Sequence, residues 1–210
     1  MNLSIRSIVY TALFAAMFIV MSMIKIPLPF TPVPITLQNL AVMLAGAFLG
    51  ARGGFLSIGL VIALTALGLP LLHGQGGLSY LGGPTGGFLI AFPFCAAAVG
   101  WCTDKLLKTR LPDGNRSLFT LALFFIFIVF GSLLSYVVGV PWLATAVKDL
   151  TFAGAIASGF TPFIGGDIVK AVVAALACAA LLPLTRAMRS AARPAGIAND
   201  GTNAENPHAG

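Results

Sequence analysis

From Leu118 to Val140 the chain runs without a single charged residue. A helix of that length crosses the hydrocarbon of a bilayer, which takes roughly 17–25 apolar residues. A soluble core could hide such a segment only if the rest of the chain supplied a polar coat. It does not: of 210 residues, 9% are charged and 58% hydrophobic, and the mean hydropathy is +0.98. A soluble domain carries about a quarter charged residues. The composition excludes an ordinary cytosolic enzyme, a disordered chain and a disulfide scaffold, and makes lipid the solvent.

Other apolar runs flank this one. Together they predict an all-α integral membrane protein with six transmembrane helices, at about 5–24, 35–50, 55–69, 85–103, 118–140 and 161–184. These form one domain over 1–185. Pro27, Pro29, Pro32 and Pro34 end the first helix. The first run opens as a signal peptide does, with Arg6, but no small-x-small cleavage site follows, so we read it as a retained helix. Arg52-Gly53-Gly54 predicts a tight turn between the second and third spans, which are short and therefore tilted or partly buried in protein. Pro93 interrupts the fourth. Residues 141–160, with Lys148-Asp149 at their centre, predict a short interfacial helix. Residues 186–210 predict a polar, disordered cytoplasmic tail.

Lys plus Arg is 12 against 6 for Asp plus Glu, a net charge of +6. The basic residues fall between apolar runs, which assigns them to topology rather than to nucleic acid. With six crossings, nine of the 12 lie on the side of the two termini. Lys25 and Lys148 lie opposite, and Lys170 falls inside the last span. Positive loops stay inside, so both termini are expected in the cytoplasm, in the plasma membrane of a prokaryote.

Several chemistries lack their parts. The P-loop pattern G-x-x-x-x-G-K-[ST] does not occur, nor do H-E-x-x-H or G-x-S-x-G. Cys95, Cys102 and Cys178 sit in apolar runs and read as small buried hydrophobes. The two histidines, His73 and His208, belong to a loop and the tail. No catalytic residue, metal site or cofactor is expected, and the chain is not read as an enzyme.

What remains is a set of polar groups in oily surroundings, where polarity by default marks function. Asp167 and Lys170 stand three apart, on one face of the sixth helix. The bland alternative is an ion pair that merely tolerates burial. Thr36, Gln38 and Asn39 open the second span, where capping is the alternative. Half of the residues from Gly74 to Gly87 are glycine, and Tyr80 and Thr85 among them point to a lid or pocket wall rather than a slack loop. Tyr136 and Trp142 near the end of the fifth span suit either a pocket wall or an interfacial anchor. The topology brings all of these to the outer side. Such a pocket suits a small, partly apolar ligand with an acidic group and some hydrogen-bonding function. Ala12 and Ala16 give the first helix a small-x-x-x-small face for close helix approach.

These runs, taken in order, resemble the BioY family, the biotin-specific S components of energy-coupling factor transporters. The likeness is carried by Pro34-Ile35-Thr36-Leu37-Gln38, by Gly82 to Phe88, by Tyr136 to Leu143, and by Gly166-Asp167-Ile168-Val169-Lys170. The resemblance implies a six-helix protein that captures biotin from outside with high affinity. It implies that Asp167 and Lys170 line the biotin site and that the glycine-rich loop with Tyr80 and Thr85 borders it. It implies that the alanine face with Ala12 and Ala16 docks a transmembrane coupling subunit (T component), and that two ABC-type ATPase subunits bind the ATP. Biotin offers two ureido N–H donors, a carbonyl, an apolar ring and chain, and a carboxylate. Which end Asp167 and Lys170 each face stays open. One alternative keeps the scaffold as an S component for another small vitamin; a second, of a different class, is a stand-alone channel or facilitator needing no ATPase.

Overall fold

Where the sequence places four prolines, the chain forms a β-hairpin. In the computed structural model, which describes residues 5–192, α1 (Ile5–Met23) leads into β1 (Lys25–Leu28) and β2 (Thr31–Thr36). Lys25 pairs with Thr36 and Ile26 with Ile35, and the register slips before Leu28 pairs with Thr31. Pro27 stands at the slip, since proline has no N–H to give a ladder.

The hairpin delivers the chain to α2 (Gln38–Ala66), followed by the single turn α3 (Leu78–Leu81) and by α4 (Gly86–Leu107). A further turn, α5 (Leu111–Gly114), precedes a long rod made of α6 (Arg116–Ile126), a π-helical segment (Phe127–Leu133) and α7 (Leu134–Ala146). Last come α8 (Phe152–Gly159), α9 (Ile164–Ala180) and α10 (Leu182–Ala192).

Four stretches of the described residues are long and apolar enough to cross a membrane: α1, α2, α4 and the rod Arg116–Ala146. A fifth results if α8 and α9, bent by 46° at their junction, count as one. The expected second and third spans fall into one element, divided at Gly50, whose φ of 77° and ψ of 179° are not helical. Glycine alone enters that backbone region without strain. The break lies two residues before the expected Arg52-Gly53-Gly54 turn. Beyond it the chain doubles back, so that a Cβ on Gly54 would stand 2.9 Å from the Gly46 Cα.

The break leaves the last carbonyls of the first arm without helical partners. Arg189 of α10 supplies them. Its Nε donates to the Ala47 carbonyl at 2.6 Å and its Nη2 to Gly46 at 3.2 Å, while Nη1 pairs with Asp104. The polar tail expected from residue 186 therefore begins later, because residues 186–192 belong to this docked helix. The remainder of that expectation, 193–210, lies outside the described residues. The expected interfacial helix is shorter than its 141–160 allotment. Pro141 rides inside α7, and only Phe152–Gly159 forms a separate helix, capped by Thr151 accepting from the Gly154 N–H at 3.2 Å.

Phe14, Phe18, Phe48 and Phe92 pack between α1, α2 and α4, with Phe14 and Phe48 ring centres 5.8 Å apart. On α9, Ala171, Ala174, Ala175 and Cys178 turn inward while Val169, Val172, Val173 and Leu176 are exposed. Small residues let this helix sit close to its neighbours, and the exposed branched face suits lipid.

Candidate ligand-binding site

The first turns of α9 carry Asp167 and Lys170 inward, 3% and 9% exposed. Their charges meet directly, Lys170 Nζ to Asp167 Oδ1 at 3.1 Å. Two other helices complete the cluster. From α2, Asn39 donates its amide to Asp167 Oδ1 at 2.7 Å and accepts from Lys170 Nζ at 2.9 Å. From α7, the Tyr136 hydroxyl donates to Asp167 Oδ2 at 2.6 Å. Asn39 also reaches Ser132 Oγ, in the π-helical segment, at 3.3 Å. Both carboxylate oxygens are thus held by donors, as burial of a charge requires.

The cluster lies on the wall of a pocket. Phe88, Leu89, Phe92 and Phe163 give it apolar sides, and Thr36, Gln38 and Ser135 add polar groups. Tyr136 is itself braced edge-on by Phe88 and Phe160, at 5.9 and 4.9 Å between ring centres. Gln38 is 4% exposed, and its Nε2 is buried with no hydrogen-bond partner. Asp167 is engaged on both oxygens, whereas Lys170 directs two of its three N–H bonds and Gln38 keeps both of its own. The open polar groups of the pocket therefore favour a ligand acceptor.

A family model matches residues 1–187, that of the BioY family. The biotin transporter BioY of Rhizobium etli is 42% identical over 177 residues, covering 83% of this chain and 91% of that protein. The probable biotin transporter BioY of Bacillus subtilis is 38% identical over 176 residues, 82% of this chain and 88% of that one. In three dimensions the chain is similar to the crystal structure of the S-component for biotin from an ECF-type ABC transporter. The TM-score is 0.75 at 31% identity, over 85% of this chain and 92% of that one.

The chain belongs to the BioY family.

Within this BioY pocket the residues singled out from sequence do not all meet. Asp167, Lys170, Gln38, Thr36, Thr85 and Tyr136 line it. Tyr80 lines an adjoining chamber instead. Trp142 lines neither; its indole N–H donates to the Gly83 carbonyl at 3.0 Å, and a Cβ on Gly87 would come within 2.3 Å of the Trp142 Cβ. Its place is to pin the glycine-rich loop against α7. Ala12 and Ala16 are exposed on α1 and do not line the pocket, while Ala15 between them is buried.

Three pocket residues carried too weak a sequence signal to be named as ligand contacts. Asn39 reads as a capping residue beside Gln38, yet its partners are Asp167 and Lys170. Leu37 stands at the helix N-cap without a side-chain cap, and Thr36 Oγ1 accepts from the Gln38 N–H at 3.4 Å. Ser135 reads as a small polar residue tolerated in a helix. His73 looks like an ordinary loop residue, but its Nδ1 lies 2.7 Å from the Tyr80 hydroxyl and its ring borders both chambers. Burial, helped by the nearby Lys25 cation, lowers the His73 pKa below its ordinary 6.5, and burial raises that of Tyr80. Among the described residues no group of three or more His, Cys, Asp or Glu gathers to hold a metal.

Proposed function

We propose that this chain binds biotin and acts as the substrate-specificity subunit of an ATP-driven vitamin importer of the ECF type. The observation that carries the reading is the four-residue cluster of Asp167, Lys170, Asn39 and Tyr136 on one wall of a pocket whose sides include Phe88, Leu89, Phe92 and Phe163. A ligand with a compact hydrogen-bonding ring and an oily body fits that division of the wall. The named relatives, biotin transporters by description, support biotin as that ligand.

The same reading has six passes. The reversal at Gly50 supports counting the two arms of α2 separately, and the α8–α9 pair supports a last pass. Both termini then lie in the cytoplasm with most of the basic residues, and the pocket opens to the outside. The coupling subunit docks on the exposed α1 face around Ala12 and Ala16, and two ATPase subunits outside this chain bind ATP. No cofactor takes part.

A titration of the purified chain in detergent with biotin tests this. Saturable binding, displaced weakly by dethiobiotin and lipoate, is expected. Stronger binding of lipoate than of biotin would assign the subunit to another cargo. Full transport by vesicles lacking any ATPase would overturn the importer reading.

A further inference from the structure

The binding pocket has an antechamber. Pro34 of the hairpin, His73 of the loop after α2 and Thr85 at the start of α4 line both cavities. Three segments distant in sequence therefore form a neck between them. Beyond the neck the outer chamber is walled by Lys25, Gln75, Ser79 and Tyr80. Lys25 is the one charged residue among those lining it, and no carboxylate stands beside it there.

The hairpin fixes where the backbone of Lys25 sits. Lys25 is paired across the ladder with Thr36, which itself lines the inner pocket. The ladder thus places the Lys25 backbone beside the neck, and its exposed side chain lines the chamber. His73 is fixed as firmly. Its φ is 56°, a conformation rarely adopted without glycine, and its N–H reaches Ser22 Oγ at 3.4 Å. Nδ1 shares a hydrogen bond with the Tyr80 hydroxyl, and Nε2 is buried without a hydrogen-bond partner; in the tautomer that accepts from Tyr80 at Nδ1, Nε2 carries the proton. A buried donor left open beside a cavity is costly unless something fills it.

Resting on the reading of biotin as the ligand, we propose that the outer chamber is the carboxylate subsite: Lys25 Nζ and His73 Nε2–H hold the acid end of the ligand at the neck while its ring lies against the Asp167 cluster. The inner cluster and the outer cation then read the two ends of one molecule. An anionic tail is recognised by charge and by a fixed donor; a neutral tail meets neither partner. Because Lys25 is exposed, its attraction is screened by salt.

The test compares biotin with biotin amide, which keeps the ring and chain but has no charge. Both are titrated into the purified full chain in detergent, by calorimetry, at low and high salt. Wild-type protein is expected to prefer biotin by about tenfold or more, the scale of a charge-assisted hydrogen bond, and to lose part of that preference as salt rises. Lys25→Gln is expected to erase the preference by weakening biotin alone, and Lys25→Arg to restore it. His73→Phe is expected to weaken biotin more than the amide. Equal loss for both ligands in Lys25→Gln, or no loss, overturns the subsite while leaving biotin binding intact. A wild-type chain that binds neither ligand overturns the function itself.

Discussion

Lys170 Nζ donates to the side-chain oxygen of Asn39 at 2.9 Å, across 131 positions of sequence. That bond joins α9 to the start of α2, and the Asn39 amide returns to Asp167 at 2.7 Å. The ion pair on α9 is therefore not self-sufficient. It is completed by a neutral side chain that bridges both charges.

Removing either charge is expected to weaken biotin binding. Asp167→Asn and Lys170→Ala each lose at least ~1.5 kcal/mol, the scale of a charge-assisted hydrogen bond. Calorimetry in detergent reads this, and wild-type affinity in both variants would remove the pair from the site. Each single variant also leaves a buried charge without its partner, at a cost of about 3–5 kcal/mol in stability. The double variant Asp167→Asn with Lys170→Met is expected to recover most of the melting temperature but not the binding.

Asn39→Ala is expected to behave like a charge deletion although it removes none. It strips Lys170 of one acceptor and Asp167 of one donor. The expected loss in affinity is about 1–3 kcal/mol. Gln38→Ala, which breaks no bond to the pair, should lower affinity without lowering the melting temperature. A measured fall in stability for Gln38→Ala would place its side chain in the packing rather than the pocket.

Tyr136→Phe keeps the ring between Phe88 and Phe160 but deletes the hydroxyl that donates to Asp167 Oδ2 at 2.6 Å. Affinity is expected to drop by about 1.5–3 kcal/mol, the range for a hydrogen bond to a charged group, with near-UV circular dichroism unchanged.

His73 gives a pH dependence with a definite sign. Its folded-state pKa is lowered from 6.5, by burial first and by Lys25 second. The protonated ring is thus disfavoured in the fold and accepted in the unfolded chain. Stability is fully present above pH 6.5 and falls as pH drops below it. Melting temperatures from pH 7.5 to 5 are expected to decline in the wild type and to decline less in His73→Gln.

Ala16→Trp is expected to abolish co-purification of the coupling subunit while leaving biotin binding unchanged, because Ala16 is exposed on α1 and absent from the pocket lining. Normal co-purification would move the docking face elsewhere.

Much of the architecture could be read from the chain because lipid enforces it. Long uncharged runs have few other uses, and a carboxylate and an ammonium within one such run stand out by cost alone. That logic finds Asp167 and Lys170. It leaves Asn39 between capping and a pocket role and does not single out Ser135, since neutral polar residues in helices are cheap and ambiguous. It leaves Trp142 between a wall and an interfacial anchor because an aromatic ring at a helix end fits several tasks; the structure shows its indole N–H bound to the Gly83 carbonyl at 3.0 Å. The Arg189 clasp was hidden for a similar reason. A basic residue just beyond the last span reads as topology, and only the break at Gly50 exposes the carbonyls it serves. The hairpin of residues 25–36 was obscured by its prolines, which forbid helix but permit a short ladder at unpaired edges.

The π-helical segment Phe127–Leu133 sets the rotational phase of everything after it. A π turn holds more residues than an α turn, so the wider winding shifts the azimuth of α7 relative to α6 within one continuous rod. Winding the same residues as α-helix, with none removed, would swing Tyr136 by about 100° around the axis, the angular step of one helical residue. The phenol would leave Asp167, and the same rod would no longer supply that wall of the pocket.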